Sequence, residues 1–173
     1  AVIRLRAEYL WWRHDFPAIH FRFTSGDPAA YVNWRDGERP RVSGSRVRWT
    51  RAAAPDPTYE GFRGYLVSVF TYAGSLSLAR ELTPVADGRD VRPGDVYVQG
   101  GSPGHAVLVL DVATESTSGR RVFLLAQSYM PAQDVHVLRN PRDRARSPWY
   151  TTDFGDTLET PEWTFRARDL RRF

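Results

Sequence analysis

Apolar residues recur at three- and four-residue steps from the start of the chain, at Val2, Leu5, Tyr9 and Trp12, a spacing that predicts an amphipathic helix. No Ser, Thr, Asp or Asn precedes it as a cap, so the expectation is a helix cut from a longer chain. Pro17 breaks the pattern, and Ile19 to Phe23 alternates as a short strand does. Ser25-Gly26-Asp27-Pro28 predicts a turn into a short helix through Trp34, with Pro28 at its first position and Gly37 past its end. Residues 41–49 read as an exposed hairpin with Gly44 in the turn. After the breaker Pro55-Asp56-Pro57, Thr58 opens a helix in which Phe62, Tyr65, Leu66, Val69, Phe70 and Ala73 form one broad apolar face. Gly74 punctuates it, and residues 75–82 are helical by composition.

Beyond Asp87-Gly88 the period becomes two. Residues 96–98, 105–112, 122–129 and 135–138 read as strands, bounded by Gly, Pro, Asp and Ser clusters. Residues 114–119 make the second and third of these an antiparallel hairpin, and a last strand is expected over about 163–168. Helices first and strands after predict an α+β fold in a single domain, 1–173, with 58–82 as a helical elaboration.

Composition narrows the possibilities. The 173 residues are 42% hydrophobic and 25% charged, so disorder and fibrous repeats are excluded. No apolar run approaches the roughly 20 residues that cross a bilayer. All 24 basic residues are arginine, against 20 acids, for a net charge of +4. They are spread along the chain; the clusters 139–146 and 166–172 are broken by acids or proline and read as solvated surface, so no nucleic-acid partner is expected. The absence of cysteine removes disulfides, zinc–thiolate sites and a cysteine nucleophile from these residues.

The hairpin carries the candidate chemistry. Alternation puts His105, Val107, Val109 and Asp111 on one face of its first strand, and Phe123, Leu125, Gln127 and Tyr129 on one face of its second. Leu108, Leu110, Leu124 and Ala126 make the other face apolar too, as in a buried central hairpin. If odd pairs with odd, His105 lies opposite or diagonal to Gln127, an amide that can fix one ring nitrogen while the other acts as a base. Gly100, Gly101, Ser102 and Gly104 lead into His105; such a glycine turn admits close approach of a ligand. A histidine launched from it is expected where solvent or substrate reaches it. The competing account is a lone histidine satisfied by a backbone carbonyl.

Residues 94–98, 104–110 and 122–127 together resemble the strand core of papain-like, NlpC-type cell-wall peptidases. The resemblance implies His105 as the general base and Gln127 as its orienting residue. Over nearly the whole chain, through Ile3 to Leu10, Tyr72 to Leu78, Gln99 to Ala106 and Leu125 to Asp134, the sequence also resembles an uncharacterised family of bacterial, exported proteins known as a domain of unknown function. That resemblance implies a cysteine a couple of residues before the position of Ala1.

The resulting expectation is a papain-like α+β domain whose N-terminal helices pack on a central antiparallel sheet. It would act as a cysteine amidase or peptidase on cell-wall peptide, with a nucleophile upstream of Ala1 and with Gly100, Gly101, Ser102 and Gly104 on the substrate. The alternative is a non-catalytic module that binds cell-wall peptide or glycan through the same cleft. No cofactor, metal or membrane span is expected, and the chain reads as an exported monomer. His14 and His20, separated by the bend at Pro17, read as helix-end histidines and not metal ligands, His136 as a residue lining the same cleft or capping a strand edge, Asp95 as a turn residue, Ser102 and Ser128 as turn or surface serines, and the tryptophans as core or rim.

Overall fold

The first helix, α1 (Val2–Trp12), buries a face different from the one its spacing predicts. Val2, Ile3, Ala7 and Leu10 are buried, whereas Tyr9 is 55% and Trp12 71% exposed. Positions 3, 7 and 10 form a stripe as regular as 2, 5, 9 and 12; the large aromatics attracted the pattern, and packing selected the smaller residues. The computed structural model describes all residues, 1–173, as two compact units, Ile3–Glu81 and Leu82–Phe173, the latter together with Ala1 and Val2.

In the first unit β1 (His20–Arg22) pairs antiparallel with β2 (Pro28–Ala30), followed by α2 (Tyr31–Arg35). Pro28 therefore opens a strand, not a helix. A proline without an N–H is tolerated at the first position of an edge strand, and Phe21 opposite Ala29 supplies the buried pair. The hairpin β3 (Glu38–Ser43) and β4 (Arg46–Arg51) turns at Gly44, whose φ of +59° suits a tight turn. Thr58 caps α3 (Tyr59–Tyr72) by accepting from the Gly61 N–H at 3.1 Å. Phe62, Tyr65, Leu66 and Val69 are buried as predicted, whereas Phe70 is exposed. Trp11 stacks on Phe62 at 4.6 Å, and α4 (Ser75–Glu81) completes the unit.

The second unit is built on a seven-stranded antiparallel sheet. Its strands are β5 (Thr83–Pro84), β6 (Val96–Gln99), β7 (His105–Thr114), β8 (Arg121–Gln127), β9 (His136–Val137), β10 (Tyr150–Thr151) and, beyond a separate pair β11 (Thr157–Glu159) and β12 (Thr164–Arg166), β13 (Leu170–Arg172). The order is β10-β8-β7-β6-β13-β5, with β9 beside β8. Tyr97, Val107, Val109, Phe123, Leu125 and Phe165 are fully buried in its core.

Three expectations change here. The ladder between β7 and β8 slips between Val109 and Asp111, leaving Leu110 without a partner. Beyond this bulge Val112 packs against the core while Asp111 is exposed, so Asp111 leaves the face of His105, Val107 and Val109. Leu110 is 39% exposed, so the second face of the hairpin is not uniformly buried. Residues 170–172, read as solvated surface, form β13 between β6 and β5. No helix is long and apolar enough to cross a membrane.

Candidate active site

The undisturbed half of the β7–β8 ladder sets the site. Leu108 pairs with Ala126 and Val109 with Leu125, so the odd residues of both strands share a face. His105 Nε2 lies 2.6 Å from Gln127 Oε1, and Gln127 Nε2 donates to Glu162 Oε2 at 2.6 Å. Gln127 is completely buried and His105 is 9% exposed, so the imidazole is more enclosed than a strand-opening position suggests.

The protonation pattern follows from this chain of bonds. An ionised carboxylate only accepts, so the Gln127 amide must turn its NH2 toward Glu162 and its oxygen toward His105. A carbonyl oxygen also only accepts, so the proton of a neutral His105 sits on Nε2. Nδ1 is left with its lone pair.

Rings close the rest of the pocket around the imidazole. Tyr129 meets His105 edge-on at 5.1 Å, Trp163 lies tilted at 5.5 Å and Phe165 stacks at 6.0 Å. Gln99, directly across the β6–β7 ladder from His105, accepts from Trp163 Nε1 at 2.9 Å and donates to Asp169 Oδ2 at 2.7 Å. Burial pushes the His105 pKa below the usual 6.5; the Gln127 hydrogen bond and then the Glu162 charge oppose that, and the Ala1 amino group adds a small lowering. The nitrogen of Ala1 donates to Ser128 Oγ at 3.3 Å. The head of α1 is thus held beside β8 and within electrostatic reach of the imidazole.

Gly100, Gly101 and Ser102 are exposed in the connection from β6 to β7, and Gly104 is half-buried just before His105. A Cβ on Gly101 would lie 2.9 Å from the Pro103 carbonyl oxygen, which explains one glycine by backbone crowding. The other histidines lie elsewhere: His14 against Phe16, His20 Nδ1 3.6 Å from Glu81 Oε1, and His136, exposed, across the ladder from Gln127 with Nδ1 2.9 Å from the Asp134 carbonyl oxygen. No group of three His, Cys, Asp or Glu residues could hold a metal ion.

Asp95 is more than a turn residue. Only 1% exposed, it accepts from the Arg92 N–H at 2.9 Å and pairs through both oxygens with Arg172 at 2.7 Å. The residues that sequence reasoning missed are Glu162 and Gln99. Gln99 heads the glycine-rich stretch before His105, but nothing in that stretch marks it as a partner of Trp163 and Asp169. Glu162 stands in no periodic pattern or motif; Pro161-Glu162-Trp163 reads as a turn, and only the return of β12 brings it to Gln127.

A family model described as "Domain of unknown function (4846)" matches residues 1–172. The chain belongs to that family. The match takes in both compact units, and with them His105, Gln127 and Glu162. No curated protein and no solved structure matches the chain.

Proposed function

We propose that this domain is the base-bearing part of a papain-like cysteine amidohydrolase that cleaves amide bonds in cell-wall peptides. The observation that supports this reading is the buried His105–Gln127 pair, with Nδ1 unoccupied and the head of α1 close by. His105 is the general base and Gln127 its orienting residue; Gly100, Gly101, Ser102 and Gly104 flank the substrate. The nucleophile is a cysteine encoded just before Ala1, at the start of α1, where helix N-terminus and imidazolium both favour thiolate.

The reaction balances without a cofactor. The thiol proton passes to His105 Nδ1 and the sulfur adds to the carbonyl carbon. The C–N bond then breaks, with the amine taking the proton from the imidazolium. Water, deprotonated by the same nitrogen, hydrolyses the thioester and regenerates the thiol. A peptidoglycan stem peptide is the proposed substrate class, and an exported monomer the proposed form.

The test is to express the chain with the residues encoded upstream of Ala1 and to follow alkylation by iodoacetamide against pH. A thiol pKa below the roughly 8.5 of free cysteine is expected. His105→Ala should slow alkylation at pH 7 by about tenfold or more, since a free thiol is only a few per cent ionised there. Gln127→Ala should slow amide turnover more mildly. Absence of Cys, Ser or Thr within about one helical turn upstream of Ala1 removes the enzyme reading. One observation favours a second reading, a module that binds cell-wall peptide or glycan without cleaving it: the 173 residues contain no cysteine. Binding of stem peptide by this chain, unchanged when the upstream residues are restored and without turnover, selects it.

A further inference from the structure

Glu162 belongs to a chain with 24 basic residues, all of them arginine, yet it forms no ion pair with any of them. Its one hydrogen bond is to the Gln127 amide, at 2.6 Å. Some carboxylates at the surface do pair with arginine, as Glu159 does with Arg142 and Asp90 with Arg92. The Glu162 carboxylate is instead committed to a fully buried neutral amide.

An amide side chain is nearly symmetric in shape, so packing alone does not decide which end faces the imidazole. Were Gln127 turned over, its NH2 would face His105 Nε2 and the ring would have to carry its proton on Nδ1. That tautomer cannot take a proton at Nδ1. Nothing on the His105 side forbids it, because the imidazole can adapt to either end. The asymmetry comes from Glu162, which cannot donate.

We infer that Glu162 is a positioning residue for this site: it holds the Gln127 amide in the orientation that keeps the proton of His105 on Nε2 and leaves Nδ1 free. The groups bearing on the imidazole are few. Glu162 approaches from the β11–β12 connection, Tyr129 from beyond β8, and the Ala1 amino group from the head of α1. Glu162 is the only anion among them. It therefore acts twice, by hydrogen bond on the tautomer and by charge on the stability of the imidazolium. The catalytic use of this relay rests on the amidohydrolase reading; the tautomer itself does not.

The experiment reads the tautomer directly. The 173-residue chain, labelled with 15N, contains four histidines, so His105→Gln assigns the His105 signals in a long-range 1H–15N correlation spectrum. In the unsubstituted chain at neutral pH, Nε2 should appear protonated and Nδ1 not. Glu162→Ala should shift the tautomer ratio toward Nδ1–H by about fivefold, the weight of one ordinary hydrogen bond. Glu162→Gln can donate as well as accept, so it too should relax the preference for the Nε2–H tautomer, while the imidazole pKa falls further because the opposing charge is gone. A tautomer ratio unchanged in Glu162→Ala, or a His105 titration unchanged in Glu162→Gln, overturns the inference. If both effects appear but the upstream-extended chain shows no thiolate chemistry, the relay stands and the amidohydrolase reading fails.

Discussion

His105 is enclosed by Tyr129, Trp163 and Phe165, and burial, with a smaller push from the Ala1 amino group, disfavours its charged form more than Gln127 and Glu162 together favour it. The imidazole is therefore neutral at pH 7, the form a base needs. Because the folded pKa lies below the unfolded one, the unfolded chain takes up the proton first as pH falls. Stability is unaffected above about pH 6.5 and is lost as pH falls from there to the folded pKa. Urea titrations at stepped pH should show that loss, and His105→Gln should remove it; the same slope in both proteins would show that another group is responsible. A second buried polar atom behaves differently. The Tyr97 hydroxyl has no hydrogen-bond partner in the core, and its ring stacks on Phe123 at 6.2 Å. Tyr97→Phe should keep the packing and hold or raise stability by up to about 1 kcal/mol. A clear loss in thermal melts would reveal a partner for that hydroxyl.

At the scale of elements, the start of α3 is fixed by a local network. Asp56 Oδ1 accepts from the Thr58 N–H at 3.0 Å and from its hydroxyl at 2.6 Å, while that hydroxyl accepts from the Gly61 N–H at 3.1 Å. A Cβ on Gly61 would lie 2.6 Å from the Asp56 carboxylate, so the glycine makes room for it. Thr58→Ala removes the cap and should cost about 1 kcal/mol. Gly61→Ala should push the Asp56 side chain away and cost part of the same network, so the double variant should lose less than the sum of the two, as a double-mutant cycle in urea would show. The β7–β8 hairpin makes a different point. The bulge at Leu110 reverses which residues face the core, so Val109 and Val112 do so without strict alternation. It lies beyond the stretch that carries His105, and the pairing at that end keeps the odd-with-odd register.

At the scale of the whole molecule, the last strand completes the sheet by charge as well as by backbone pairing. Arg172 brings its guanidinium to the buried Asp95 in a two-pronged pair and also bonds the Asp90 carbonyl oxygen at 2.8 Å. These carboxylates hold the Arg172 pKa above its usual value. Removing one partner of a buried pair strands the other charge. Arg172→Ala should therefore cost about 3 kcal/mol, at the low end for such pairs because the guanidinium is partly exposed, and lower Tm by roughly 2–4 °C for each of them. A change within 0.5 kcal/mol would mean that backbone pairing alone holds β13. The arginine-only composition says little about a partner at this scale: the cluster at the end of the chain includes a side chain used inside the fold.

The helix-to-strand change of period, the capped start of α3 and the β6–β7–β8 strands were all legible in the chain, because local spacing and turn chemistry decide them. So was the candidate pair: a glycine turn, a histidine opening one strand and an amide on the next suffice to suggest His105 beside Gln127. Several features depend on the fold. Which stripe of α1 is buried, where the ladder slips, and what Asp95 and Arg172 do for each other are settled by neighbours distant in sequence. Glu162 is the clearest case. It lies 35 residues from Gln127 on a turn without periodic signal. Only the return of β12 brings its carboxylate to the amide, and the proton on His105 is assigned from there. Sequence spacing determines which groups can face one another along an element; hydrogen bonds closed between elements determine which atom carries the proton.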